Sequence, residues 1–229
     1  MTLFEKYFGI LPSAINKNCI ICPSPDAGLF TNNASSANVQ KGKFVQSINC
    51  GFATVISTKY NLLVGDIVLL LGQTKCKNIF LFGSCASAKG QEIGTIQIIE
   101  QAYSADSFLQ MLNGEPADKS FFADKVLSEK LKNEIVFVKP ATCISVASLV
   151  LEKEYVEGIK KSEISCVDME ASIVFSAAQK VGISAAALFY VTDPFEAQLM
   201  YELSQSEKEK LANSRKKLSS ALNSFIKNV

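Results

Sequence analysis

Residues 183–191, ISAAALFYV, run apolar and small without alternation, and TDP follows at once. A strand with no polar side must be covered on both faces. The chain must therefore provide a layer above and a layer below it. Strand-like and helix-like patterns alternate along most of the 229 residues, with no internal repeat and no low-complexity linker. Together these imply an α/β fold, a three-layer α/β/α sandwich around a central mixed sheet, built as a single domain over 1–229.

Further strands are expected at NCIICPSP (18–25), GKFVQSINCG (42–51), NIFLFGSCAS (78–87), GTIQIIEQAYSAD (94–106), NEIVFVKPATC (133–143) and EISCVDM (163–169). The strand at 78–82 is expected to break at Gly83 into a small-residue loop. The long apolar stretch within 57–77 predicts a buried helix, weakened by Gly65. EASIVFSAAQKVG predicts a helix closed by Gly182. Ser206 and Glu209 have capping-box spacing, and Leu211, Leu218, Leu222 and Phe225 form one stripe, so the chain ends in an amphipathic helix. The strands ending at Cys22, Phe82 and Val191 and the DME segment all run from apolar bulk into unusual residues. If they are parallel neighbours, their ends meet at one edge, where ligands of such sheets bind.

Composition excludes several chemistries. Lys plus Arg is 23 against 22 Asp plus Glu, which gives no electrostatic reason for a nucleic-acid or anionic-membrane partner. There is no histidine, so no imidazole base, and Arg215 is the only arginine. Cys19 and Cys22 have CxxC spacing but no second pair, and they read as small core residues; no metal and no cofactor is expected. The start lacks the order of a signal peptide, and no run of about 18 apolar residues exists. A reduced, soluble, cytoplasmic protein is expected.

Three places carry candidate chemistry. Asp193 ends an apolar strand before Pro194. It reads either as a turn or cap residue, or as a half-buried acid with a raised pKa. Glu170 lies at a strand-to-helix junction. It reads either as a first-turn acid favoured by the helix dipole, or as a carboxylate that accepts two vicinal hydroxyls. Asp168 shares a face with Glu170 if the segment is extended. The small residues of GSCAS (83–87) make either a tight turn or a floor that a ligand can approach closely.

In this order the fragments resemble the nucleoside phosphorylase/nucleosidase superfamily. CVDMEAS resembles its V-[DE]-M-E-[AS] motif and FYVTDP its strand ending in [ST]-D. FLFGSCAS is similar to its glycine turn, EIGTIQII to the V-G-D segment that follows, and the stretch from Phe4 through CPSPDAG to the phosphorylase-branch opening. The resemblance implies cleavage of the N-glycosidic bond of a purine nucleoside or thionucleoside. Asp193 would act as acid toward the base and Glu170 would hold the ribose. Met169, Thr192, Ser84, Cys85, Ala86 and Leu149 would line the substrate site, and Asp26 and Gly28 would mark a water or phosphate site. It also implies a homo-oligomer, with a neighbour closing each pocket; the apolar segment LFEKYFGIL offers either an interface or core packing. The arginines that bind phosphate in the phosphorylase branch are absent: Gly28 and Leu81 fall near their places. Water is therefore expected as the nucleophile. A phosphorylase with a rebuilt phosphate site, and a member that binds a nucleoside or base without turnover, are the alternatives.

Overall fold

The computed structural model describes residues 1–23, 25–31, 39–194 and 202–228. Its strands are β1 (Asn18–Cys22), β2 (Val39–Lys41), β3 (Val45–Asn49), β4 (Thr54–Thr58), β5 (Asn78–Ser87), β6 (Ile96–Ala105), β7 (Ser120–Phe122), β8 (Lys139–Val146), β9 (Cys166–Asp168) and β10 (Ser184–Pro194). The helices are α1 (Leu3–Phe8), α2 (Val64–Leu71), α3 (Phe108–Leu112), α4 (Lys125–Glu134), α5 (Val156–Lys161), α6 (Ala171–Val181) and α7 (Gln205–Asn228). All described strands join one mixed sheet in the order β10-β6-β8-β9-β5-β1-β4-β3-β2, with β7 beside β6 and a further pairing of β10 with β5. No described helix is long and apolar enough to cross a membrane.

The unbroken apolar run does lie between two layers. Ala185, Ala187, Phe189 and Val191 of β10 pack in a core with α1, α2 and α6. Ala186, Leu188 and Tyr190, alternating with them, pack in a second core with α4 and α7. A third cluster, under α3 and α5, gathers around β8 and β9. The N-terminal segment serves core packing: Phe4, Tyr7 and Phe8 are buried. Its helix opens on a capping box between Thr2 and Glu5.

The buried helix expected within 57–77 is α2, which begins at Val64; Ser57 and Thr58 belong to β4, which pairs with both β1 and β3. Three expectations need correction. β5 does not break at Gly83 but continues to Ser87. The glycine is there because Phe189, its register partner on β10, lies over it: a Cβ would meet the ring at 3.1 Å. Gly65 lets α2 approach α6, where Ile173 leaves 3.0 Å for a Cβ. The expected strand at 133–143 begins at Lys139, since 133–134 end α4. The α7 capping box is Ser204 with Glu207, two residues before the expected pair: Glu207 Oε2 accepts from Ser204 N at 2.8 Å, and Ser204 Oγ accepts from Glu207 N at 3.4 Å.

Candidate active site

β1, β5 and β10 are parallel neighbours, as the convergence of strand ends requires. β9 is not: it runs antiparallel to β5, pairing Val167 with Ala86 and Cys166 with Ser87. The ends meet nonetheless. β5 is long enough to lie beside β1 at its start and beside β9 at its finish, while β10 flanks it on the other side throughout. Ala86 thus has Val167 on one side and Asp193 on the other. At one strand spacing each, those two backbones lie about 10 Å apart.

A bulge decides which way Asp193 points. Val191 pairs with Cys85, and the next partner of β10, opposite Ala86, is Asp193 rather than Thr192. Without the extra residue, Asp193 would share the face of Val191, toward α6. With it, Asp193 joins the face of Ser84 and Ala86. It is neither a cap nor a turn residue. Thr192 lies in the bulge, buried, and its hydroxyl reaches both the Cys85 carbonyl (3.2 Å) and the Asp193 carboxylate. Burial raises the Asp193 pKa, and the Thr192 hydrogen bond partly opposes this.

The other wall is the β9–α6 junction. Asp168 is buried, and its carboxylate is fully engaged. Oδ1 accepts from Ser145 Oγ at 2.6 Å; Oδ2 accepts from the amides of Glu170 at 2.9 Å and Ala171 at 2.6 Å. Asp168 therefore caps the first turn of α6 rather than forming an acid/base pair with Glu170. Burial lifts its pKa to about 6, against these hydrogen bonds. Ser145 Oγ also accepts from Ser172 N at 2.9 Å. Ser172 Oγ donates to Asp106 Oδ2 at 2.9 Å, and Ser104 Oγ donates to Asp106 Oδ1 at 2.9 Å.

Glu170 begins the helix, 7 % exposed. Burial, and then the neighbouring Asp168 charge, push its carboxyl up to about 8, while a hydrogen bond from the Met169 amide opposes this. None of the described ion pairs involves it. Met169 and Ala86 pack against the same apolar cluster.

Ser84 is partly exposed on the Ala86 face. Cys85 faces the opposite core: its thiol is buried and donates to Gln97 Oε1 at 3.5 Å, so only its backbone can belong to the floor. Leu149 is 56 % exposed on the turn after β8. Gly28 is exposed in the 3-10 segment Pro25–Phe30, and the side chain of Asp26 lies outside the described residues. The ring of Phe30 packs edge-on against Phe82 at 4.9 Å, which brings that segment to the Ser84 end of β5. Arg215 lies on α7 with its guanidinium 5.8 Å from the centre of the Tyr190 ring. Tyr190 is the register partner of Ser84.

Ser145 and Ser172 were not foreseen as members of this site. Ser145 carried one weak signal, a hydroxyl inside the apolar run ATCISVAS; Ser172 carried none.

A family model described as the phosphorylase superfamily matches residues 65–227. The chain belongs to the phosphorylase superfamily. No curated protein gives a match. Solved structures share the fold at low identity. A 5'-methylthioadenosine/S-adenosyl homocysteine nucleosidase of Campylobacter jejuni is 10 % identical, with a TM-score of 0.74, over 93 % of this chain and 99 % of that one. A uridine phosphorylase of Vibrio fischeri is 12 % identical at a TM-score of 0.75, over 94 % and 93 %. A futalosine hydrolase of Helicobacter pylori is 16 % identical at 0.70, over 94 % and 100 %. The superfamily motifs fall on the described elements: V-D-M-E on the β9–α6 junction and T-D on the β10 bulge.

Proposed function

We propose that this superfamily member cleaves the N-glycosidic bond of a purine nucleoside or thionucleoside, with water as the nucleophile. The observation that carries the proposal is the bulge at Thr192, which turns a half-buried acid toward Ala86, while β9 pairs Val167 with the other side of the same residue and leads into Glu170. Asp193, whose pKa burial raises, donates a proton or hydrogen bond to N7, so that the base leaves neutral. Glu170 is a buried carboxylate in no described ion pair; two vicinal hydroxyls of a ribose offer two donors to its two oxygens. Its charge then lies near the oxocarbenium-like sugar that forms as the base departs. Met169 packs beneath the ribose, Ser84 and Ala86 form the floor, Thr192 orients Asp193, and Leu149 stands at the rim. Water enters from the side of Asp26 and Gly28. The chain would act as one domain, in a cytoplasmic homo-oligomer that covers the exposed Phe108, Leu109 and Leu112 of α3.

One observation favours phosphate as the nucleophile instead. Arg215 brings the single guanidinium of the chain to Tyr190, beside Ser84, where an anion beneath the sugar would need a cation. The deciding experiment measures free base released from inosine, adenosine and methylthioadenosine, with and without phosphate. Release without phosphate supports hydrolysis, and release only with phosphate supports phosphorolysis. Binding without release under either condition refutes both and leaves a nucleoside-binding protein.

A further inference from the structure

We propose that Asp168 and Ser145 are positioning residues: by clamping the first turn of α6 they fix where the Glu170 carboxylate stands. The inference rests on Glu170 holding the ribose. It begins from an unusual helix start. The first three amide groups of α6 and its cap, those of Glu170, Ala171 and Ser172, all find acceptors, but none comes from a residue within the helix. Two go to one carboxylate oxygen of Asp168 on β9, and the third to the Ser145 hydroxyl on β8. Ser145 also donates to the other oxygen of Asp168, so the two anchors hold each other. Outside them, Ser172 is tied through its side chain to Asp106, just beyond β6. Three successive positions of the turn are thus pinned to three separate chain segments. Asp168 and Ser145 are 4 % and 0 % exposed, so no solvent can replace these bonds.

Such an anchor is more than a cap. A capping carboxylate at an exposed helix start adds stability and little else. Here the same carboxylate lies two residues before Glu170, and its charge is one of the causes that keep Glu170 protonated up to about pH 8. The titratable groups around this pair are acids and thiols: Cys166 on β9, Cys143 on β8 and Cys85 on β5, the last also within the field of Asp193. No described ion pair supplies a cation. The Asp168 charge therefore adds to burial in opposing ionisation of Glu170. A ribose hydroxyl is gripped by the ionised form, so Asp168 would control both the geometry and the pH range of the grip.

The test uses the full chain labelled with 13C at glutamate Cδ, the Glu170 signal being the one missing from Glu170→Gln. Asp168→Asn keeps the shape and, with its amide oxygen toward α6, the one acceptor that serves both backbone amides, but removes the charge and the acceptor of the Ser145 hydroxyl. The Glu170 titration is expected to fall by about one pH unit or more, with the acid limb of kcat/KM moving down alongside it. Ser145→Ala, which removes one anchor and keeps the charge, is expected to raise KM for the nucleoside about tenfold at a similar kcat. A merely structural role would lower thermal stability and move neither quantity. An unmoved Glu170 titration in Asp168→Asn overturns the proposal, as does a wild-type KM in Ser145→Ala. If Asp168→Asn does not fold, the KM of Ser145→Ala decides. If the wild-type chain releases no base from any nucleoside, the proposed function fails, and the titration still decides whether Asp168 governs Glu170.

Discussion

Glu170→Gln should stabilise the protein, by an amount that grows as pH rises from about 4.5 to about 8. The carboxyl holds its proton in the folded state up to about pH 8, against an ordinary 4.5, chiefly because it is buried. Between those values the folded state binds a proton that the unfolded chain has released. The stability this site contributes is therefore complete below about pH 4.5 and is lost as pH rises through about 8. Converting the whole displacement gives a ceiling of about 5 kcal/mol for carrying the ionised group at pH 9. Relaxation and the approach of water reduce this, leaving an expected gain of about 2–4 kcal/mol for the neutral, isosteric amide. For a chain of this length that is an increase of about 5–10 °C in Tm. At pH 5 the native acid is already neutral, and the two proteins should unfold alike. Urea unfolding of both at pH 5, 7 and 9 measures the difference directly. A gain of the same size at every pH, or a loss at pH 9, would refute the idea that an unfavourable buried charge is held here. Base release by the variant should fall about 100-fold or more, since an amide cannot accept both hydroxyls as a carboxylate does.

Asp193→Asn should lower kcat about 100- to 10,000-fold with little change in nucleoside affinity; equal losses in rate and binding, measured by turnover and by calorimetry, would remove it as proton donor. Thr192→Val deletes the hydrogen bond that opposes the raised Asp193 pKa. Because the acid works protonated, the basic limb of the kcat–pH profile should move to higher pH, and a profile that stays in place contradicts the assigned role. Gly42→Ala should destabilise the fold by more than about 2 kcal/mol, since a Cβ there would stand 1.8 Å from the Tyr7 carbonyl oxygen. Gly158→Ala, within α5 and with nothing in reach of the new methyl group, should raise stability by up to about 1 kcal/mol; denaturant midpoints of the pair check both signs.

Layering was legible because it depends on how many faces of a strand are dry. ISAAALFYV states that directly, and β10 is packed on both sides as a result. Segments whose identity depends on partners were not. Thr54–Thr58 becomes a strand because β1 and β3 offer edges on both sides, while the apolar residues that follow it read equally well as helix. Gly83 signals a break in the sequence, whereas in the fold it is space for a ring from a strand about 100 residues away. The candidate site was legible to the extent that carboxylates in apolar settings are conspicuous, and Asp193 and Glu170 stand out as candidates that way. The role of Asp168 was not legible. Its partners are two backbone amides and a serine 23 residues away, and amides leave no mark in a sequence.

The position of Asp193 illustrates the same divide. By strict alternation it belongs to the core beneath α6, where an acid would have to be paired or neutralised. One extra residue in β10 reverses this, and the Thr192 hydroxyl bonded to the Cys85 carbonyl helps hold the bulge in place. Glu170 likewise owes its direction to the turn pinned by Asp168 and Ser145. In both walls the acid that would touch substrate is aimed by a backbone irregularity, and a neighbouring polar side chain secures each one. Two acids with raised pKa values are costly to hold this way, and packing against the two cores supports the cost. The arrangement makes sense if a ligand bearing both a proton acceptor and hydroxyl donors regularly occupies the space between them, because such a ligand takes a proton from Asp193 and, through its hydroxyls, favours the ionised Glu170 that burial disfavours.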